Sequence, residues 1–294
     1  DYQHDPAPEP AGKSGKDQAL MLKLIACFLM LIDHIGFYFA DRLPPGLSVV
    51  MRAAGRLAFP VFAWLVAKGY TRTRNPLRYF IRMSAFAIVS EAVIRAGHAL
   101  IGLNLGGTNV MVTFALALVV LSGYILATRS FWDMIASMRP ISPTAHTAPT
   151  PPRYDVRLNP RGLSLDPRIG LPVGILMILA AAGAALWLRP DYGLYGLAAV
   201  LLFYVIQEHF EPEDQLKRSL QFFILLNALF IPVRLFLMHW PLDWTILQCL
   251  SVLALPLCVR FDRERRPGPV LKYFFYVFYP LHIFLLSLLR SLLS

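Results

Sequence analysis

The stretch ALMLKLIACFLMLIDHIGFYFA, residues 19–40, decides the fold. It is an apolar run in which the only charged or imidazole side chains are Lys23, Asp33 and His34. A helix rises about 1.5 Å per residue, so about 20 such residues cross the roughly 30 Å of a bilayer's hydrocarbon. The run is too long for a signal-peptide core and lacks a small-residue cleavage site, so it is expected to be retained. Comparable runs recur at 47–68, 79–97, 108–128, 170–188, 192–208, 219–238, 243–259 and 271–290. The chain therefore reads as an all-α polytopic membrane bundle of about nine transmembrane helices. The sixth run is short and would have to tilt or re-enter.

Composition points the same way. Hydrophobic residues make up 56% of the 294 and charged residues only 16%, against about 25% charged in soluble chains. The net charge of +10 does not indicate nucleic-acid binding, because the basic residues cluster between apolar runs. Placing the N-terminus in the cytoplasm puts Lys13, Lys16, the 68–82 cluster, the arginines of 129–168, Lys217, Arg218 and the 260–272 cluster inside. Only Arg42, Arg95, Arg189 and Arg290 then fall at outer ends. The positive-inside rule gives N-in and C-out.

Two segments are not spans. Residues 1–17 are polar, with Pro6, Pro8, Pro10 and Gly12, and read as a disordered tail. Residues 129–169 are rich in Pro, Arg, Thr and Ser and read as a flexible cytoplasmic loop. It separates a four-helix part (18–128), which holds the candidate active site, from a five-helix part (170–294). Cys27, Cys249 and Cys258 lie in apolar runs and read as small buried hydrophobes, with neither metal-ligand nor disulfide spacing. Phosphate-loop, dinucleotide and zinc signatures are absent from the sequence. The histidines are scattered and do not form haem-binding pairs.

Ionisable groups inside spans cost about 3 kcal/mol each on insertion scales and need a reason. Asp33 and His34 lie near the outer end of the first run, and Arg52 and Arg56 lie in the outer half of the second. Four-residue spacing puts the two arginines on one helix face. Together these four suggest a polar cavity with a general base and an oxyanion holder. Asp33 is free to orient His34 or to pair with an arginine. Glu91 reads equally as an ion-pair partner or a functional group. Arg95 and Arg234, near span ends, read as snorkelling or satisfied by a neighbouring helix. Asn227 and Thr113 read as interhelical hydrogen-bonding groups. At the inner face, Lys68-Gly69-Tyr70-Thr71-Arg72-Thr73-Arg74-Asn75 with Arg78 and Arg82 is positive-inside flanking or a docking surface for a phosphorylated cofactor such as coenzyme A.

These residues sit in stretches that resemble the TraX family of conjugal-transfer membrane proteins. The stretches are KLIACFLMLIDHIG (23–36), RAAGRLAFPVFAWLVAKGYTRT (52–73) with Asn75 and 78–82, NVMVTFALAL (109–118), DYGLYGLAAVLLFY (191–204) and YVFYPLH (276–282). The 129–169 loop looks like an insertion into that pattern. The family is similar in turn to acyltransferase-3-type membrane acyltransferases, which carry a basic residue eleven positions before a first-helix histidine, as Lys23 precedes His34. That type also has an arginine cluster nearby, represented here by Arg52 and Arg56 alone. The resemblance implies a multi-pass protein of the bacterial inner membrane that moves an acetyl group from cytoplasmic acetyl-CoA to an outer-side acceptor. For the family the acceptor is the N-terminal amine of a conjugative pilin; in the wider group it is mostly a sugar or glycan.

The implied roles follow. His34 is the base, with Asp33, Arg52 and Arg56 as its catalytic neighbours. Lys23, Arg72, Arg74, Asn75, Arg78 and Asn109 face the acetyl-CoA; Tyr279 and His282 either join them as cofactor-binding residues that close the site from the ninth span or serve the core or an interface. No metal is expected, and the oligomeric state stays open. The competing classes are a transporter or flippase and an assembly scaffold; the absence of an internal repeat speaks against the first.

Overall fold

The structure is a computed structural model that describes residues 14–44, 46–104, 106–137, 155–156, 163–261 and 269–293. Apolar residues dominate its helices on every side, and large side chains such as Phe28, Ile88, Leu176, Trp187 and Phe236 stand exposed on the outer surface. A helix that is apolar all round belongs in hydrocarbon, where its backbone must satisfy itself.

The helices in order are α1 (Ser14–Tyr38), α2 (Leu47–Gly55), α3 (Ala58–Thr71), α4 (Pro76–Leu100), α5 (Val110–Ser137), α6 (Pro167–Leu188), α7 (Gly193–His209), α8 (Pro212–Pro232), α9 (Leu242–Cys249), α10 (Leu255–Arg260) and α11 (Pro269–Leu293). A π-helical turn, Val233–Leu237, extends α8, and a 3-10 turn, Leu250–Ala254, joins α9 to α10. The only strands among the described residues are Asp155–Val156 and Leu163–Ser164, which pair antiparallel.

Seven segments among the described residues are long and apolar enough to cross a membrane, taking α2 with α3 and α9 with α10 as single spans. The chain is thus a multi-pass helical membrane protein. Two of the nine expected spans miss that standard for separate reasons. Helix α7 has 17 residues, and α4 carries Arg78, Arg82, Glu91 and Arg95. Both are nonetheless continuous helices. Helix α1 begins at Ser14 and α5 runs on to Ser137, so part of the expected tail and loop is helical. Most of the rest of those two segments lies outside the described residues.

The close contact of α5 and α6 is made by absent side chains. A Cβ on Gly123 would sit 2.6 Å from the Gly174 carbonyl oxygen, and one on Gly174 would sit 2.6 Å from the Gly123 carbonyl oxygen. Small residues let two backbones approach where lipid offers no hydrophobic drive. The principal core lies elsewhere, around Trp64, Phe203 and Phe223. It fixes α3 against α7 and so positions the helices that carry the site.

Candidate active site

Helix α1 presents Asp33 and His34 toward different neighbours, as adjacent helical residues about 100° apart must. Asp33 turns to α2. Its Oδ2 accepts from Arg52 Nη1 at 2.6 Å, and its Oδ1 lies 4.0 Å from Arg56 Nη2. Gly55 makes this approach possible, because a Cβ there would lie 2.2 Å from the Asp33 Cβ. The open choice for Asp33 is therefore resolved: it holds arginines, and the imidazole is oriented by another residue.

That residue is His282, delivered by α11. His34 Nδ1 and His282 Nε2 are 2.7 Å apart. His282 Nδ1 lies 2.7 Å from the Phe278 carbonyl oxygen one turn earlier. A carbonyl only accepts, so His282 Nδ1 carries a proton. Neutral His282 then accepts at Nε2, His34 Nδ1 donates, and the His34 lone pair is left on Nε2. Among the described residues nothing bonds to His34 Nε2, which leaves it available as a base. Tyr279, beside His282 at 6.2 Å between rings, accepts from the Val110 amide at 3.4 Å and ties α11 to α5.

The arginines are held by groups that no local sequence signal marked. The Arg52 guanidinium lies 5.2 Å from the Phe37 ring and 5.3 Å from Trp244. Arg56 lies 5.8 Å from Trp244 and donates to Gln248 Oε1 at 3.4 Å. Trp244 and Gln248 are on α9, almost 200 residues away in sequence (Arg56 to Gln248 spans 192). On the other side of His34, Tyr38 hydrogen-bonds His98 of α4. Asp191, in the exposed turn before α7, lies in the field of Glu91, Arg56, Asp33 and Arg52. Desolvation by the chain packed around the turn, then Glu91, raises its carboxyl toward about 6, and solvent at its exposed surface weakens that shift.

The expected cofactor residues divide. Asn109 is buried and committed: it caps α5 by accepting from the Met111 amide at 2.9 Å, and it donates to Glu91 Oε2 at 2.8 Å and to the Ala87 carbonyl at 2.9 Å. Glu91 also pairs with Arg95 at 2.7 Å. Asn75 likewise caps α4, accepting from the Arg78 amide at 3.0 Å. Arg74 and Arg78 are exposed, and Arg72 is half-buried at the end of α3. Lys23 lies 5.8 Å above the Phe275 ring. Eleven residues of helix put it about 16 Å from His34 along α1. A cleft of about 200 Å³ beside the basic segment is lined by Tyr70, Thr71, Thr73, Ser122, Arg129 and Glu208. The structure thus brings His34, Asp33, Arg52, Arg56, His282 and Tyr279 to one end of the bundle, and leaves Lys23, Arg72, Arg74, Asn75 and Arg78 toward the other. No cluster of metal ligands occurs among the described residues.

Comparison with known proteins gives this arrangement a family. The chain is similar to a probable fimbrial assembly protein, FimC of serogroup H1, from Dichelobacter nodosus, with 24% identity over 284 residues, covering 94% of this chain and 97% of that one. No solved structure matches. The sequence profile of the TraX protein matches residues 18–150 and 165–290. The break falls within 151–164, so residues 129–150 are family sequence and not the insertion expected of them. On a match over most of its length, the chain belongs to the TraX family.

Proposed function

We propose that the chain is an acetyltransferase of the bacterial inner membrane, oriented N-in and C-out. It would move an acetyl group from cytoplasmic acetyl-CoA to an amine on the outer side. The N-terminal amine of a pilin subunit is the acceptor this reading favours, in keeping with the fimbrial assembly name of the relative. The observation that carries the proposal is the His34–His282 pair, which presents an unprotonated nitrogen inside a membrane bundle beside two arginines. A structural histidine has no need of a second histidine to fix its tautomer.

The donor fits the chain's residues in two respects. Arg72, Arg74, Arg78 and Lys23 supply cations for the phosphates. The cleft beside them is below the 300–1,000 Å³ usual for a whole ligand, so it would take one end of the molecule. In the reaction, His34 Nε2 removes a proton from the acceptor nitrogen as that nitrogen attacks the thioester carbonyl. The carbon–nitrogen bond forms, the carbon–sulfur bond breaks, and the thiolate leaves to take up a proton. His282 Nε2 keeps accepting from His34 Nδ1–H and so supports the imidazolium. Arg52 or Arg56 faces the oxyanion of the tetrahedral intermediate. Sugar hydroxyls would be activated by the same base, and the acceptor is the part that experiment must assign.

The test is titration of acetyl-CoA and CoA into purified wild type and His34→Ala. The expected result is saturable binding to both proteins, with thioester cleavage or transfer in the wild type alone. No binding to folded protein at millimolar cofactor would refute the proposal and favour a transporter or a scaffold.

A further inference from the structure

Arg234 is the most buried arginine among the described residues and takes no part in the reaction above. Only 3% of it is exposed, so it does not snorkel as its place near a span end suggests. The cause is local. Pro232 has no amide hydrogen to continue the α-helical pattern, and the chain widens into a π turn whose closing bond runs from the Met238 amide to the Val233 carbonyl at 3.0 Å. The Trp240 amide then bonds the Arg234 carbonyl at 2.8 Å. Single π turns are frequent at functional sites. This one turns Arg234 into the bundle while Phe236 and Leu237 stay outside, 73% and 78% exposed.

Inside, the guanidinium lies 4.5 Å from the Tyr195 ring and 6.0 Å from Phe230. The Tyr195 hydroxyl donates to Asn227 Oδ1 at 3.2 Å. Both Arg234 terminal nitrogens, Gln248 Nε2 and Ser251 Oγ are buried without a well-formed hydrogen bond, and all three side chains converge on the Tyr195 hydroxyl. Gln248 is 1% exposed and Ser251 0%. Among the described residues no carboxylate pairs with Arg234, and Asp33 is engaged by Arg52 and Arg56. Buried polar groups are normally satisfied. A planar cation with two parallel donors of its own, beside two further polar atoms that lack a well-formed bond, matches a ligand with two coplanar oxygens.

We propose that Arg234, Gln248 and Ser251 form a buried oxyanion site that takes a carboxylate or phosphate group of the acceptor. Gln248 makes it continuous with the reaction centre, because its Oε1 accepts from Arg56 while its side chain also meets Tyr195, the residue under the Arg234 guanidinium. The acceptor would be anchored by its anion at Arg234 and offer its nucleophile to His34. The word acceptor rests on the function proposed above; anion binding does not.

Inorganic phosphate and acetate are the probes, added at constant ionic strength to the full-length protein in detergent, with thermal unfolding as readout. Wild type should show saturable stabilisation, with the apparent Kd weakened at least tenfold in Arg234→Gln and severalfold in Ser251→Ala. Arg234→Lys keeps the charge but loses the fork, and should retain part of the affinity. Native mass spectrometry distinguishes the sources: a phospholipid retained by wild type and lost in Arg234→Gln would identify the anion as a lipid headgroup and overturn assignment to the acceptor. Equal stabilisation of wild type and folded Arg234→Gln would overturn the site itself. Anion binding without acetyl transfer would refute the enzymatic reading and leave the site standing.

Discussion

Replacing His282 tests the tautomer argument directly. His282→Phe keeps the ring's bulk against Phe278 but removes the nitrogen that accepts from His34 Nδ1–H. In the ground state this loses one buried hydrogen bond. In the transition state the donor is an imidazolium, and hydrogen bonds to charged groups contribute about 1.5–3 kcal/mol. At about 1.4 kcal/mol per decade this lowers kcat roughly 10- to 100-fold, while the KM for acetyl-CoA stays near its wild-type value. His282→Gln places an amide oxygen where Nε2 stood and should recover much of the loss. His34→Ala should remove the whole base contribution, about 10²- to 10⁴-fold. His282→Phe added to His34→Ala should then cost little more. The assay is release of CoA thiol in proteoliposomes of each variant, with unfolding temperature measured alongside. Equal loss in His282→Phe and His282→Gln, or strict additivity with His34→Ala, would refute the reasoning.

Gly55→Ala drives a methyl group into Asp33 and should destabilise by about 1–3 kcal/mol, as overpacking does, with loss of activity; Gly183→Ala, at a position with nothing within 4 Å, should be neutral or slightly stabilising by thermal unfolding. Arg52→Gln and Asp33→Asn each break the 2.6 Å pair and should cost up to about 3 kcal/mol, and a double variant should be less destabilised than the sum when measured in a double-mutant cycle. Asp191 has its carboxyl raised to about 6 from about 3.9 in an unfolded chain, so between those values the folded state holds more protons. Its contribution to stability therefore falls as pH rises from about 4 to about 6, and Asp191→Asn should flatten that part of the unfolding profile.

Much of this architecture was legible because membrane spans are written locally. About twenty apolar residues suffice to mark one, and the marked runs coincide with helices. The pairing of Arg52 and Arg56 on one face was readable from their spacing, and so was the anomaly of Asp33 and His34. What joins them was not. His34 meets His282 across 248 residues and Arg56 meets Gln248 across 192, and periodicity says nothing about which helix faces which. The bonds of Asn109 were hidden for another reason: its side chain satisfies a helix end and a carboxylate, and a capping asparagine at a span start looks like any polar group there. Which of its two readings Arg234 follows was not legible, because a π turn rotates a side chain away from the face that a regular helix assigns to it. Trp244 carried no signal beyond being an aromatic near a span end, and its role appears only once two guanidiniums stand over it.

The backbone-to-backbone clasp between Gly123 and Gly174 has an implication for how the chain may be cut. Two helices that set their own register do not rely on the peptide between them to find it. The entropic cost of closing a loop grows by only about 0.6 kcal/mol per doubling of its length, so the connecting stretch is the natural place for lineage-specific additions, and the family match breaks there, within 151–164. Severing the chain inside that break and expressing the two pieces together should regenerate a working bundle. A bundle that reassembled in this way would make continuity of the polypeptide at this point a convenience of synthesis and not a requirement of the fold.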